Sequence, residues 1–187
     1  MTTHEIALLL TFAATLACSI SSSAQSQQPA PTSPANAHVT NSFTFEIAAP
    51  TKKVAPLFAP EAERSWAGDD WNPVFAHPQP GRDIEGAVFT TKHASVTTIW
   101  VNTVFNLDSG RMQYVAVVPE KLATIVDVQV TAASTTRTAV KVTYTRTALT
   151  PAANAHVIHL GAQDAASAPT WQHAIESTLR LAPKATL

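Results

Sequence analysis

Between Gly86 and Thr147 the chain is almost unbroken β signal, and that block limits the available folds more than any other feature. Leu122–Ala132 alternates cleanly, with Leu122, Thr124, Val126, Val128 and Val130 on one side. Thr138–Thr147 repeats the pattern, Val140, Val142 and Tyr144 opposing Lys141, Thr143 and Thr145. A period of two is the mark of a half-buried strand, because successive side chains point to opposite faces. Gly86–His93, Val96–Asn106 and Arg111–Val118 read as three more strands, with Asp108-Ser109-Gly110 as the hairpin turn before the last. The connections are too short for crossover helices, so these strands run antiparallel as a meander.

The flanks complete the order of elements. Phe43, Phe45 and Ile47 alternate with Thr44, Glu46 and Ala48, a further strand. Pro50 then opens a helix, and Thr51–Phe58 places Val54, Leu57 and Phe58 on one face. Pro60 opens a second short helix that ends at the Gly68-Asp69-Asp70 break. After the meander, Thr150 is suited to an N-cap with Pro151 in the first helical position. That helix is expected to reach about Ala166 with an interruption at Gly161. A final helix begins at Pro169, with Trp171, Ile175 and Leu179 four residues apart.

The N-terminal region reads as an address. Ile6–Ala17 is apolar but shorter than the roughly twenty residues a membrane-spanning helix needs. It matches the hydrophobic core of a secretory signal, and Ser22-Ser23-Ala24 supplies small residues for cleavage. Residues 1–24 are therefore expected to be a signal peptide and the protein to be exported, periplasmic or secreted. A second reading takes Thr15-Leu16-Ala17-Cys18 as a lipoprotein box, whose signal ends at Ala17 and whose lipid on Cys18 tethers the protein to a membrane. Residues 25–40, rich in Gln, Pro, Ser and Ala, are expected to form a disordered linker. The folded domain is placed at 41–182, with a tail at 183–187.

Cys18 is the single cysteine, so the domain holds no intramolecular disulfide and no thiolate metal site. Twelve basic and thirteen acidic residues are spread evenly for a net charge of -1, which supplies no basic stripe for nucleic acid.

The run PLFAPEAERSWAGDDWNP carries Pro60, Glu63, Arg64, Trp66, Trp71 and Pro73 in a spacing that resembles a bacterial group of the START-like (SRPBCC) superfamily. Gly86-Ala87-Val88-Phe89, Thr98-Ile99-Trp100-Val101 and the segment Val142–Leu149 add to the likeness, in the right order. The resemblance implies an α+β helix-grip fold. In it a curved antiparallel sheet of six or seven strands wraps a long C-terminal helix, two short helices follow the first strand, and a cavity lies between sheet and helix. Members of this superfamily carry lipids, bind hormones, cyclise polyketides or support oxygenases, so the fold leaves function to the site.

The candidate cavity residues are Arg64, Trp66, Trp71, Trp100, Tyr114, Tyr144 and Trp171. The tryptophans and tyrosines would supply apolar walls with polar tips, and Arg64 a fork for a ligand carboxylate. The plainer reading pairs Arg64 with Glu61 or Asp70 and uses the rings as core. Arg146 shares a strand face with Val140, Val142 and Tyr144, where a charge needs a partner; it is either a ligand contact or, the favoured reading, a strand-end residue that reaches solvent. Asp127 lies opposite the apolar stripe and is expected to be exposed. His156 and His159 stand three residues apart on a helix and are expected to be a chance surface pair. No GxSxG, phosphate loop or HExxH occurs, and no metal or cofactor is expected.

Three functions follow from different premises. The favoured one is a non-catalytic binder or carrier of a small hydrophobic molecule. The second is a cyclase- or dehydratase-type enzyme, which requires at least two ionisable groups converging in the cavity. The third is an envelope interaction module whose cavity is filled core, which requires an exposed apolar patch.

Overall fold

Strand structure carries through the whole β block and is found beyond it as well. The computed structural model describes residues 35–181. The expected signal peptide, Cys18, most of the expected linker and the 183–187 tail lie outside the described residues. Seven strands form one sheet: β1 (His38–Ile47), β2 (Val74–His77), β3 (Val88–His93), β4 (Val96–Asn106), β5 (Arg111–Val118), β6 (Leu122–Ala132) and β7 (Thr138–Ala148). Their order is β1-β7-β6-β5-β4-β3-β2, antiparallel throughout. After β1 come α1 (Thr51–Val54), a 3-10 turn (Ala55–Phe58) and α2 (Pro60–Glu63). After β7 come a 3-10 turn (Pro151–Ala153), α3 (Asn154–Ala165) and α4 (Ala168–Leu181). This is the curved sheet with short helices after the first strand and helix at the C-terminal end that the sequence implies.

Three expectations are corrected. β1 starts at His38, inside the stretch assigned to linker, because His38–Thr40 pair with Thr145–Thr147 of β7. β2 was not expected, since it is only four residues long, lies between Pro73 and Pro78, and buries Phe75 alone, so no alternation can develop. Gly161 does not interrupt α3. A Cβ at this position would stand 2.8 Å from the side-chain nitrogen of Asn41 and 3.0 Å from a methyl of Val39, so the glycine lets α3 lie against β1. The break between α3 and α4 falls at Ala166 and Ser167, where the residue pattern ends one helix near Ala166 and opens the last at Pro169.

The core fills the concave side of the sheet. Phe43, Phe45 and Ile47 of β1 meet Met112 and Tyr114 of β5, Val126, Val128 and Val130 of β6, and Val140 and Val142 of β7. Val54, Phe58 and, from α4, Ile175 close over them. Each such side chain contributes about 1.5–3 kcal/mol through removal from water. The expected turn before β5 also stands: Gly110 adopts φ +66, and a Cβ there would collide with the backbone oxygen of Val130.

Candidate functional site

The short helical segment after β1 leaves several backbone carbonyls without helical partners, and aromatic donors from elsewhere take them up. Trp66 Nε1 donates to the Leu57 carbonyl at 2.7 Å, and Trp71 Nε1 to that of Pro60 at 2.8 Å. The Tyr114 hydroxyl donates to the Phe58 carbonyl. These bonds fix the segment over one half of the sheet and hold three large rings at its edge. On the sheet, strand register sets Tyr114, Val126 and Tyr144 side by side across β5, β6 and β7.

Between this segment, the sheet and α4 lies a cavity of about 270 Å³. Trp66, Trp71, Trp100, Tyr114, Tyr144 and Trp171 all line it, together with Val126, Val128 and Glu63. Six of the seven residues singled out in the sequence thus meet in one place. Their rings form edge-to-face pairs, Trp66 with Trp171 at 5.1 Å and Trp71 with Trp100 at 5.3 Å between centroids. Trp100 is held further by a 2.9 Å bond from its Nε1 to the Thr91 hydroxyl.

Arg64 is the exception. Its guanidinium turns outward, bonding Glu61 at 2.8 Å and also Asn72 and the Pro73 carbonyl, so it does not line the cavity. The local i, i+3 spacing to Glu61 gives the fork a partner it meets without leaving the surface. Glu63, one residue away, takes the inward place. Its carboxyl is held well above the ordinary carboxylate range, chiefly by burial and secondarily by the negative charge of Asp83. Asp83 is itself raised, burial again leading. The Tyr114 phenol is pushed up by burial and then by Glu63 and Asp83, and the Tyr144 phenol by burial against an opposing pull from Arg146.

The Glu63 displacement has a stability consequence. A carboxyl whose folded pKa is raised retains its proton in the fold over a pH range where the unfolded chain has lost it. Its contribution is therefore complete at low pH and is lost as pH rises through the folded value. Stability of the wild type should fall with rising pH above about pH 5, with a slope from this proton approaching about 1.4 kcal/mol per pH unit. Glu63→Gln should flatten that slope, leaving the smaller share of Asp83. Urea unfolding of both proteins from about pH 5 to about pH 8 reads the difference; parallel curves would mean that Glu63 is solvated.

A second compartment of about 240 Å³ shares Trp100, Val126 and Tyr144 with the first and extends toward α3. Arg146 lies here, and its expected exposure is corrected. Its Nε and a terminal nitrogen bond both oxygens of Asp164 at 2.6 and 2.7 Å, and its other terminal nitrogen bonds Thr124 at 3.1 Å. The guanidinium carbon also sits 4.6 Å from the centre of the Tyr144 ring. The charge is buried because Asp164, on α3, neutralises it. His156 borders the same compartment, while His156 and His159 are both solvent-exposed. Asp127 stands on the convex side, half-buried, where Arg111 and Gln113 bond it. Among the described residues no group of three or more His, Cys, Asp or Glu is arranged to hold a metal ion.

No family model and no curated protein matches the sequence. Solved structures do match the fold. Norcoclaurine synthase from Thalictrum flavum, in complex with dopamine and hydroxybenzaldehyde, aligns at TM-score 0.59 and 10% identity over 80% of this chain and 91% of its own. The protein Ara h 8.0201 aligns at TM-score 0.59 and 12% identity over 77% of this chain and 99% of its own. An uncharacterised protein from Rhizobium leguminosarum aligns at TM-score 0.55 and 16% identity over 78% and 96%. All share the START-like helix-grip fold, and this chain has that fold.

Proposed function

We propose that this chain binds a small, largely apolar molecule in the aromatic cavity beneath α4, as a carrier and not as a catalyst. The observation that carries the reading is the cavity itself. Six aromatic side chains surround open space close to the lower end of ligand-site volumes, about 300 Å³. A filled core would leave no such space, which weighs against an interaction module. The fold supports the reading as well, since norcoclaurine synthase holds small aromatic molecules. The apolar run Ile6–Ala17 supports an exported location, and N-terminal sequencing of the protein from its host should then begin at Gln25.

Native mass spectrometry of protein from its own host, before and after organic extraction, tests the binding. The expected result is a mass excess removed by extraction. Re-adding the extract at a hundred times its dissociation constant should stabilise the fold by about 2.7 kcal/mol. No excess, and no thermal shift across a panel of lipids and aromatic compounds, would end this reading.

One observation favours catalysis as a second reading. Glu63, Tyr114 and Tyr144 are ionisable groups on the same cavity wall, and a carboxyl held protonated can donate to a ligand carbonyl. Turnover of the extracted ligand that Glu63→Gln abolishes would establish it, and unchanged ligand after prolonged incubation would dismiss it.

A further inference from the structure

The walls of the cavity have used up most of their own donors. The indole N–H groups of Trp66, Trp71 and Trp100 and the hydroxyl of Tyr114 all bond protein acceptors. What these residues offer a guest is ring surface, whose π face is electronegative. Into the same space projects the carboxyl of Glu63, and no Lys, Arg or His lines the cavity beside it. The charge that reaches Glu63 is that of Asp83 and is of its own sign, while Tyr114 and Tyr144 face it from β5 and β7 as neutral phenols. From α4 the wall is Thr170, Trp171 and Ala174, which carry no charge. On its own segment Glu61 and Arg64 pair with each other on the outside. A carboxyl in apolar surroundings with no cation to meet it is costly to the fold, which directs attention to a ligand that would supply one.

We propose that the ligand is an organic cation, a hydrophobic amine bound as its ammonium form, with Glu63 as counter-ion and the tryptophan rings as its cage. The inference rests on the cavity-binding reading above. Ring faces and a carboxylate both attract a cation, and an anion would find no cationic partner among the lining residues. The proton balance follows. The ammonium enters with its own proton, and Glu63 gives its proton to solvent as it becomes the carboxylate partner. One proton is released per amine bound while Glu63 begins protonated. Affinity for the amine should therefore rise with pH until Glu63 is ionised in the free protein, and fall again once the amine itself loses its charge.

Isothermal titration of the full chain with phenylbutylamine, phenylbutanol and phenylbutyrate tests this with probes of matched shape. The expected order is amine, then alcohol, then carboxylate, with the amine bound about tenfold to a hundredfold more tightly than the alcohol. Titration in buffers of different ionisation enthalpy should report proton release for the amine and none for the alcohol. In Glu63→Gln the amine-to-alcohol ratio should fall about tenfold, leaving only the preference that the rings supply. An alcohol that binds as tightly as the amine in the wild type, or a ratio that survives in Glu63→Gln, overturns the cation proposal and leaves cavity binding standing. Failure of all three probes to bind would remove the cavity reading itself.

Discussion

Asp164→Ala is expected to destabilise the fold by about 3–5 kcal/mol, because it strands the Arg146 guanidinium as an unpaired buried charge. The side chains of Arg146 and Asp164 are only 14% and 8% exposed, and two parallel bonds join them. Such a pair owes little to its net attraction, since both charges were first removed from water. The loss on removing one partner comes from the desolvated charge left behind. The double substitution Arg146→Met with Asp164→Leu is therefore expected to recover most of the loss, to within about 1 kcal/mol of wild type. Chemical unfolding of the two variants measures this. A cost below about 1 kcal/mol for Asp164→Ala would show that Arg146 escapes to solvent, restoring the strand-end placement its position alone suggests.

Arg146 and Glu63 show why some of the site could be read from the sequence and some could not. The strands were legible because alternation is a local property: Val126 and Val128 declare their face by their own spacing. The aromatic residues followed, since a large ring on the buried face of a grip fold is both core and cavity wall. Arg146 lies on the same face, yet its partner sits eighteen residues later on α3, and nothing in the spacing joins the two. Glu63 was passed over for the opposite reason. In the run Glu61-Ala62-Glu63-Arg64 the charged residues look interchangeable, and which one turns inward depends on where the segment meets the sheet. The signal that could have found it is the neighbouring pair: Arg64 reaches Glu61 at i, i+3, and that leaves Glu63 without a local cation. β2 had no signal, because a short edge strand between prolines lacks room for a period.

Trp171→Ala should cost about 3 kcal/mol and, at the same time, change which ligands bind. The indole packs against Trp66 at 5.1 Å, Phe43 at 5.4 Å, and Phe58 and Tyr144 at 6.4 Å between centroids. It thus joins α4 to the N-terminal segment and to both sheet strands that border it. Ile175 is the only fully buried residue on α4, so without Trp171 the helix loses most of its grip. The space vacated adjoins the cavity, and filling it with ligand would return part of the lost burial. Bulkier apolar guests should accordingly gain affinity over small ones in Trp171→Ala, and saturating them should recover more stability than in the wild type. Trp171→Phe, which retains a ring, should cost about 1 kcal/mol with little change in size preference. Unfolding with and without a graded series of alkylbenzenes measures both effects. If Trp171→Ala lost binding while keeping wild-type stability, Trp171 would be a lid laid over a core that is complete without it. The packing points the other way: Trp171 is core wall and cavity wall at once, so a change in stability and a change in the cavity must come together.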